Sequence, residues 1–188
     1  MRQQILRADL FCRKSVGTGA QMTKMIAEIQ ELKSKKPATA YSNPGCWRGN
    51  AWPELDILWL KEAISNLSTE AIEFYEITPT GNFLINYWAN VNEPQSRNVV
   101  HNHNNAIFSG VYYLQAEGTG DLRFSNPANL IGCCNPDSPY TNDFTFTPHD
   151  GDLVLWPSWM PHEVETNFSN KQRINIAFDI KYKNDKMV

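Results

Sequence analysis

Two stretches of the chain carry apolar residues at helical spacing. Met22, Met25, Ile26, Ile29 and Leu32 recur three and four apart, and Thr18 and Gln21 stand at the spacing of a capping box. This predicts a helix that runs up to Lys36 and is stopped by Pro37. Ile57, Leu60, Ile64, Leu67 and Ala71 form the stripe of a second helix, with Pro53 suited to its first turn and a brief break expected over residues 65–69. Between the helices, residues 41–47 (Tyr-Ser-Asn-Pro-Gly-Cys-Trp) are turn chemistry.

The pattern changes near Asn82. Strand-like runs follow at 83–91, 99–103, 107–114, 122–125, 144–147, 153–156, 162–165 and 174–182, separated by Gly, Pro, Asn and Asp. About eight short strands predict a sandwich or barrel of the jelly-roll kind. The long connection over 126–143 is expected to be a functional loop. With 188 residues the chain reads as one domain: a helical part over 1–80 packed on a β core over 81–188.

Composition narrows the function classes. Seventeen basic residues against 20 acidic ones give a net charge of −3, which argues against a broad grip on duplex nucleic acid. No apolar run approaches membrane-spanning length, and the first residues carry no signal-peptide core. Cys12, Cys46, Cys133 and Cys134 form no CxxC pair, so free thiols in a reducing cytoplasm are expected. No charge flanks Cys133 or Cys134 to activate either thiol.

Four histidines remain: His101, His103, His149 and His162. His101 and His103 sit at a strand end, where residues i and i+2 share a face. Taken alone, they fit either two hydrogen-bonded histidines or two ligands of one metal. His162 opens a later strand, after Pro157-Ser158-Trp159-Met160-Pro161, and offers a distant third ligand. Arg173 lies on a strand face with Asn175 and Ala177, as either a solvent-facing arginine or a fork for a carboxylate. His149, in a turn, reads as a surface histidine. Trp159, close to His162, is expected at a pocket rim.

These elements resemble the iron(II)- and 2-oxoglutarate-dependent oxygenases, whose pattern is HxD or HxE, a distal His and an Arg about ten residues on. The likeness is stronger to one group of such oxygenases with unassigned substrate. Its Ser-Asn-x-Gly-x-Trp element corresponds to residues 42–47, its Trp-Ala-Asn-Val-Asn strand to 88–92, and its Ser-Gly-Val-Tyr-Tyr-Leu strand to 109–114. The resemblance implies a double-stranded β-helix, a cupin-like jelly-roll barrel. It implies iron(II) at His101, His103 and His162, with 2-oxoglutarate as cosubstrate paired to Arg173. The reaction it implies is hydroxylation of a small molecule or peptide, releasing succinate and carbon dioxide.

Tyr113 matches a cosubstrate-contacting tyrosine of related prolyl hydroxylases, or is an ordinary core aromatic. Asn90 is a cosubstrate contact or a structural amide. The chain departs from the pattern at His103, where a carboxylate is usual. Other registrations put His103 first with Asn105 in the acid position, or leave one position to water. A cupin-type metal enzyme fits less well, because Ile107 and Phe108 stand where its glutamate belongs; a metal-free jelly-roll binding protein is the third reading. Residues 42–52 and 126–143 are expected to shape the pocket, and a homodimer is compatible with the sequence.

Overall fold

The computed structural model describes residues 9–37, 45–51, 54–78, 82–125 and 143–182. Helix α1 (Gly19–Lys35) starts where the sequence predicts. Thr18 Oγ1 accepts from the Gln21 N–H at 3.2 Å, and Gln21 Oε1 accepts from the Thr18 N–H at 2.8 Å. Met25, Ile29 and Leu32 form its buried face.

Helix α2 (Leu58–Phe74) has Ile57 as its cap residue, and Pro53, expected in its first turn, lies outside the described residues. The expected break at 65–69 is absent. Ser68 and Thr69 donate their hydroxyls to the carbonyls of Ile64 and Ser65, four residues back, and the helix continues through them.

Ten strands follow in chain order: β1 (Phe11–Arg13), β2 (Cys46–Asn50), β3 (Phe83–Asn92), β4 (Asn98–His101), β5 (Phe108–Gln115), β6 (Leu122–Phe124), β7 (Phe144–Phe146), β8 (Leu153–Pro157), β9 (His162–Val164) and β10 (Arg173–Tyr182). They form an antiparallel sheet ordered β1-β8-β5-β10-β3-β2 and a second ordered β4-β9-β6-β7. Strands β3 to β10 therefore divide four and four between two sheets, with the chain passing repeatedly from one to the other. This is the double-stranded β-helix that the resemblance implied.

The eight predicted strands all occur, within a few residues of their expected ends. Two more, β1 and β2, extend the larger sheet at its edges. Residues 46–50 were read in part as turn, yet they pair with β3 from Cys46↔Asn92 to Asn50↔Trp88. Partner hydrogen bonds, not an internal pattern, make these edge strands. Cys133, Cys134 and nearly all of the 126–143 loop lie outside the described residues, as do residues 42–44 and Trp52. Among the described residues, no helix is long and apolar enough to cross a membrane.

Strand β10 shows how the larger sheet positions the site. Ile174, Ile176, Phe178 and Ile180 point toward the helices and join a core with Met25, Ile29, Leu60 and Ile64. Burying each such side chain contributes about 1.5–3 kcal/mol. The alternate residues, Asn175, Ala177 and Asp179, face the space between the sheets and line a cavity. Gly110 on β5 lets the Phe178 ring lie flat against the backbone: a Cβ there would stand 2.2 Å from Phe178 Cζ.

Candidate metal centre

The cavity between the sheets has a volume of about 410 Å³, and all three candidate ligands line it. His101 closes β4 and pairs across the smaller sheet with His162 of β9. His103 lies two residues past the end of β4, not within the strand as expected. Its backbone N–H donates to the Ser158 carbonyl at 3.1 Å, and this anchor keeps the ring turned inward. Ring centroids are 4.4 Å apart for His101 and His162, 5.1 Å for His101 and His103, and 5.2 Å for His103 and His162. One potential ligand atom from each residue falls within 4.8 Å of the other two.

The three rings are held in one tautomer. Nδ1 of His101 lies 2.7 Å from the Val99 carbonyl, and Nδ1 of His162 lies 3.0 Å from the Met160 carbonyl. Carbonyl oxygens only accept, so both Nδ1 atoms carry the proton. Nδ1 of His103 lies 2.6 Å from a carboxylate oxygen of Asp179, which fixes the same choice. With Nδ1 so engaged, Nε2 is the ring atom each histidine has left to offer a metal. Burial, reinforced by His101, pushes His162 down to about 3, and burial also lowers His101. Both are neutral imidazoles at pH 7. This donor set fits a divalent metal of the iron or zinc kind: three convergent imidazoles with open positions on one side.

Arg173 is 1% exposed. Its Nη1 donates to the Thr119 carbonyl at 2.6 Å, while Nη2 is buried without a hydrogen-bond partner among the described residues. A buried guanidinium nitrogen left open is costly unless an anion meets it, so this arm fits a carboxylate. Tyr113 lines the cavity and is buried, with its phenol pushed up by burial and pulled back in part by Arg173. Asn90 also lines it and donates to Asn175 Oδ1 at 2.9 Å, so its amide is both structural and exposed to the cavity.

Several features escaped the sequence. Asp179 lies on the inward face of β10, where strand alternation could have found it, but its pairing with His103 depends on the fold. Trp88 stacks on His103 with centroids 5.9 Å apart, and Trp156 meets His162 edge-on at 4.8 Å. Trp159 was expected at the rim. It is 39% exposed and not among the lining residues, because the turn after β8 points it outward. His149 is a surface histidine near Asp152, away from the cavity. Cys12 and Cys46 are not joined in a disulfide among the described residues, and Cys46 Sγ accepts from Asn92 Nδ2 at 2.9 Å.

Fold and cavity together define a jelly-roll protein whose cavity is lined by three histidines that could hold a metal. The family described as "Putative 2OG-Fe(II) oxygenase" matches residues 86–179, which hold the histidine cluster and Arg173. The chain belongs to this family of iron(II)- and 2-oxoglutarate-dependent oxygenases. Iron(II) is its cofactor and 2-oxoglutarate its cosubstrate.

Solved structures share the fold at low identity. A prolyl-4-hydroxylase from Pseudomonas putida superposes with a TM-score of 0.69 at 13% identity, covering 93% of each chain. HygX from Streptomyces hygroscopicus, with nickel and 2-oxoglutarate bound, gives a TM-score of 0.65 at 10% identity, covering 93% of this chain and 83% of that one. A prolyl hydroxylase from Trichoplax adhaerens, in complex with a hypoxia inducible factor peptide, gives 0.65 at 13% identity, covering 93% and 84%. No curated protein sequence matches the chain.

Proposed function

We propose that His101, His103 and His162 hold one iron(II), and that the protein hydroxylates a small molecule or peptide at the expense of 2-oxoglutarate. One observation carries this reading. Three imidazoles, each with Nδ1 tied to an acceptor, converge on the cavity that Tyr113 of the Arg173 side also lines.

When bound, iron(II) supplies dioxygen activation coupled to oxidative decarboxylation of 2-oxoglutarate into succinate and carbon dioxide. The chain's own residues bind and orient. Arg173 offers its open Nη2 to the distal carboxylate of 2-oxoglutarate, charge-assisted and shielded from water. Tyr113 pairs across the sheet with Asn175, and Asn175 with Asn90, so the three side chains form one wall of the cavity near the arginine's end of β10. Val111, Leu122, Trp156 and Val164 give the cavity apolar walls that limit water around the reacting groups.

Three neutral imidazoles bring no charge to a divalent cation. The usual carboxylate ligand is missing, and 2-oxoglutarate, with its distal carboxylate paired to Arg173, would bring one negative carboxylate to the cation. Asp179 adds a negative charge beside His103 without occupying a ligand position. Likeness in fold to a prolyl hydroxylase in complex with a peptide and to HygX with hygromycin B bound supports this substrate range. The single-domain division at about residue 80 remains our reading of the chain.

The test is aerobic turnover with iron(II) and 2-oxoglutarate, followed as succinate. Succinate formation that disappears in Arg173→Ala is expected. Absence of succinate with every substrate offered, together with no new absorption when 2-oxoglutarate is added to the iron(II) protein without oxygen, would overturn the reading.

A further inference from the structure

The open arm of Arg173 can select a ligand only if the guanidinium is held still, and backbone carbonyls hold it. Nη1 donates to the Thr119 carbonyl at 2.6 Å and, more weakly, to the Glu165 carbonyl at 3.5 Å. Glu165 directly follows β9, the strand that His162 opens. Nη1 is thus lodged between the turn after β5 and the segment that carries one histidine of the cluster. Both acceptors are neutral, so they orient the guanidinium without cancelling its charge.

The turn over residues 116–120 (Ala-Glu-Gly-Thr-Gly) fixes its carbonyl in two ways. Thr119 is fully buried, and the Ala116 carbonyl accepts from it twice, from the N–H at 3.0 Å and from the hydroxyl at 2.6 Å. The Ala116 N–H donates to Asp150 Oδ1 at 2.7 Å, which ties the start of the turn to the loop before β8. Gly120 then takes a φ of +103°, in the left-handed region. It packs so closely on the end of β9 that a Cβ there would stand 2.7 Å from the Glu165 carbonyl oxygen. A polar anchor at Thr119 and a close approach at Gly120 therefore set both carbonyls that meet Nη1.

We propose that Thr119 and Gly120 are positioning residues for the cosubstrate: they set where Arg173 stands relative to the histidines, and so select the length of the 2-oxo diacid. This rests on the reading that the histidines hold the metal and that Arg173 takes the distal carboxylate. Neither residue touches the cosubstrate; both act through the guanidinium. A diacid one methylene longer brings its distal carboxylate out of register with a guanidinium that cannot shift. A loosened turn lets the guanidinium follow, at a loss of affinity for the diacid that fits, because the arm is no longer preorganised.

The experiment titrates the full chain, loaded with zinc(II), with 2-oxoglutarate, 2-oxoadipate and pyruvate. Pyruvate has the 2-oxo acid end but no distal carboxylate. Wild type should prefer 2-oxoglutarate over 2-oxoadipate by about tenfold or more, the scale of one misplaced methylene. Thr119→Ala should weaken 2-oxoglutarate several-fold and narrow that preference, with pyruvate affinity kept within about twofold. Thr119→Ser keeps the hydroxyl and should restore both. Gly120→Ala should act in the same direction and more strongly; thermal melts check each variant, and if Gly120→Ala does not fold, the Thr119 pair decides. The proposal is overturned if Thr119→Ala keeps the wild-type affinities and preference, or if it weakens pyruvate as much as 2-oxoglutarate, the mark of a general loosening of the fold. Arg173→Ala separates this outcome from failure of the underlying reading. If Arg173→Ala binds 2-oxoglutarate as wild type does, the cosubstrate site itself is struck, and the positioning role with it.

Discussion

His103 and Asp179, 76 residues apart in sequence, meet at 2.6 Å between Nδ1 and Oδ1. Burial would raise the Asp179 carboxyl, but the hydrogen bond and electrostatic pull of His103, with the Ser109 hydroxyl and the Lys181 charge, outweigh it and hold the group below the usual carboxylate range. In the proposed three-histidine set, a carboxylate thus stands one bond behind the ligands and orients the His103 ring. Asp179→Ala should lower the affinity for divalent metal about 10- to 100-fold, as loss of such supporting partners does. Asp179→Asn keeps an acceptor for Nδ1–H and should fall between. Cobalt(II) titration followed by absorbance measures both. Unchanged affinity in Asp179→Ala would remove the residue from the metal site.

Metal-free protein should lose stability as pH falls. His162 is pushed down to about 3 by burial, against an ordinary value of 6.5. Between these values the unfolded chain takes up a proton that the folded chain refuses. Unfolding free energy should therefore drop by about 1.4 kcal/mol per pH unit from this group as pH falls below 6.5. Urea melts from pH 7 to pH 5 measure it, and His162→Gln should flatten the slope.

Arg173→Ala should raise the 2-oxoglutarate concentration needed for half-saturation more than tenfold, since it leaves one carboxylate without its partner. Losing the bond to the Thr119 carbonyl should also cost about 1–3 kcal/mol of stability. Arg173→Lys should restore part of the affinity, because a lysine charge lacks the fork. Equilibrium binding to the metal-loaded protein without oxygen separates affinity from turnover.

Gly110→Ala should destabilise the fold by about 1–3 kcal/mol or more. The new methyl would meet Phe178 Cζ at 2.2 Å and the Val154 carbonyl oxygen at 2.6 Å. A thermal melt of the metal-free variant reads this directly.

Much of this architecture can be read from the chain. The helical stripe of Met25, Ile29 and Leu32 and the alternation of Ile174, Ile176 and Phe178 each name one buried face, because apolar burial sets both patterns. The three histidines and Arg173 can be found because ligand chemistry restricts residue type and spacing. Strands β1 and β2 are hidden, since an edge strand as short as Phe11–Arg13 owes its conformation to its partner β8. Asp179 and Trp88 are hidden for a related reason. Their roles arise from registers such as Asn86↔Asp179, which join segments that no local pattern connects. Trp159 misled because closeness to His162 in sequence does not fix the direction of a side chain in a turn.

The measurement closest to the central claim is iron content and affinity in the wild type beside His101→Ala, His103→Ala and His162→Ala, each loaded with iron(II) without oxygen. One iron per wild-type chain and loss of tight binding in all three variants, His103→Ala included, are expected. Full iron retention by His103→Ala with unchanged affinity would contradict the three-histidine centre.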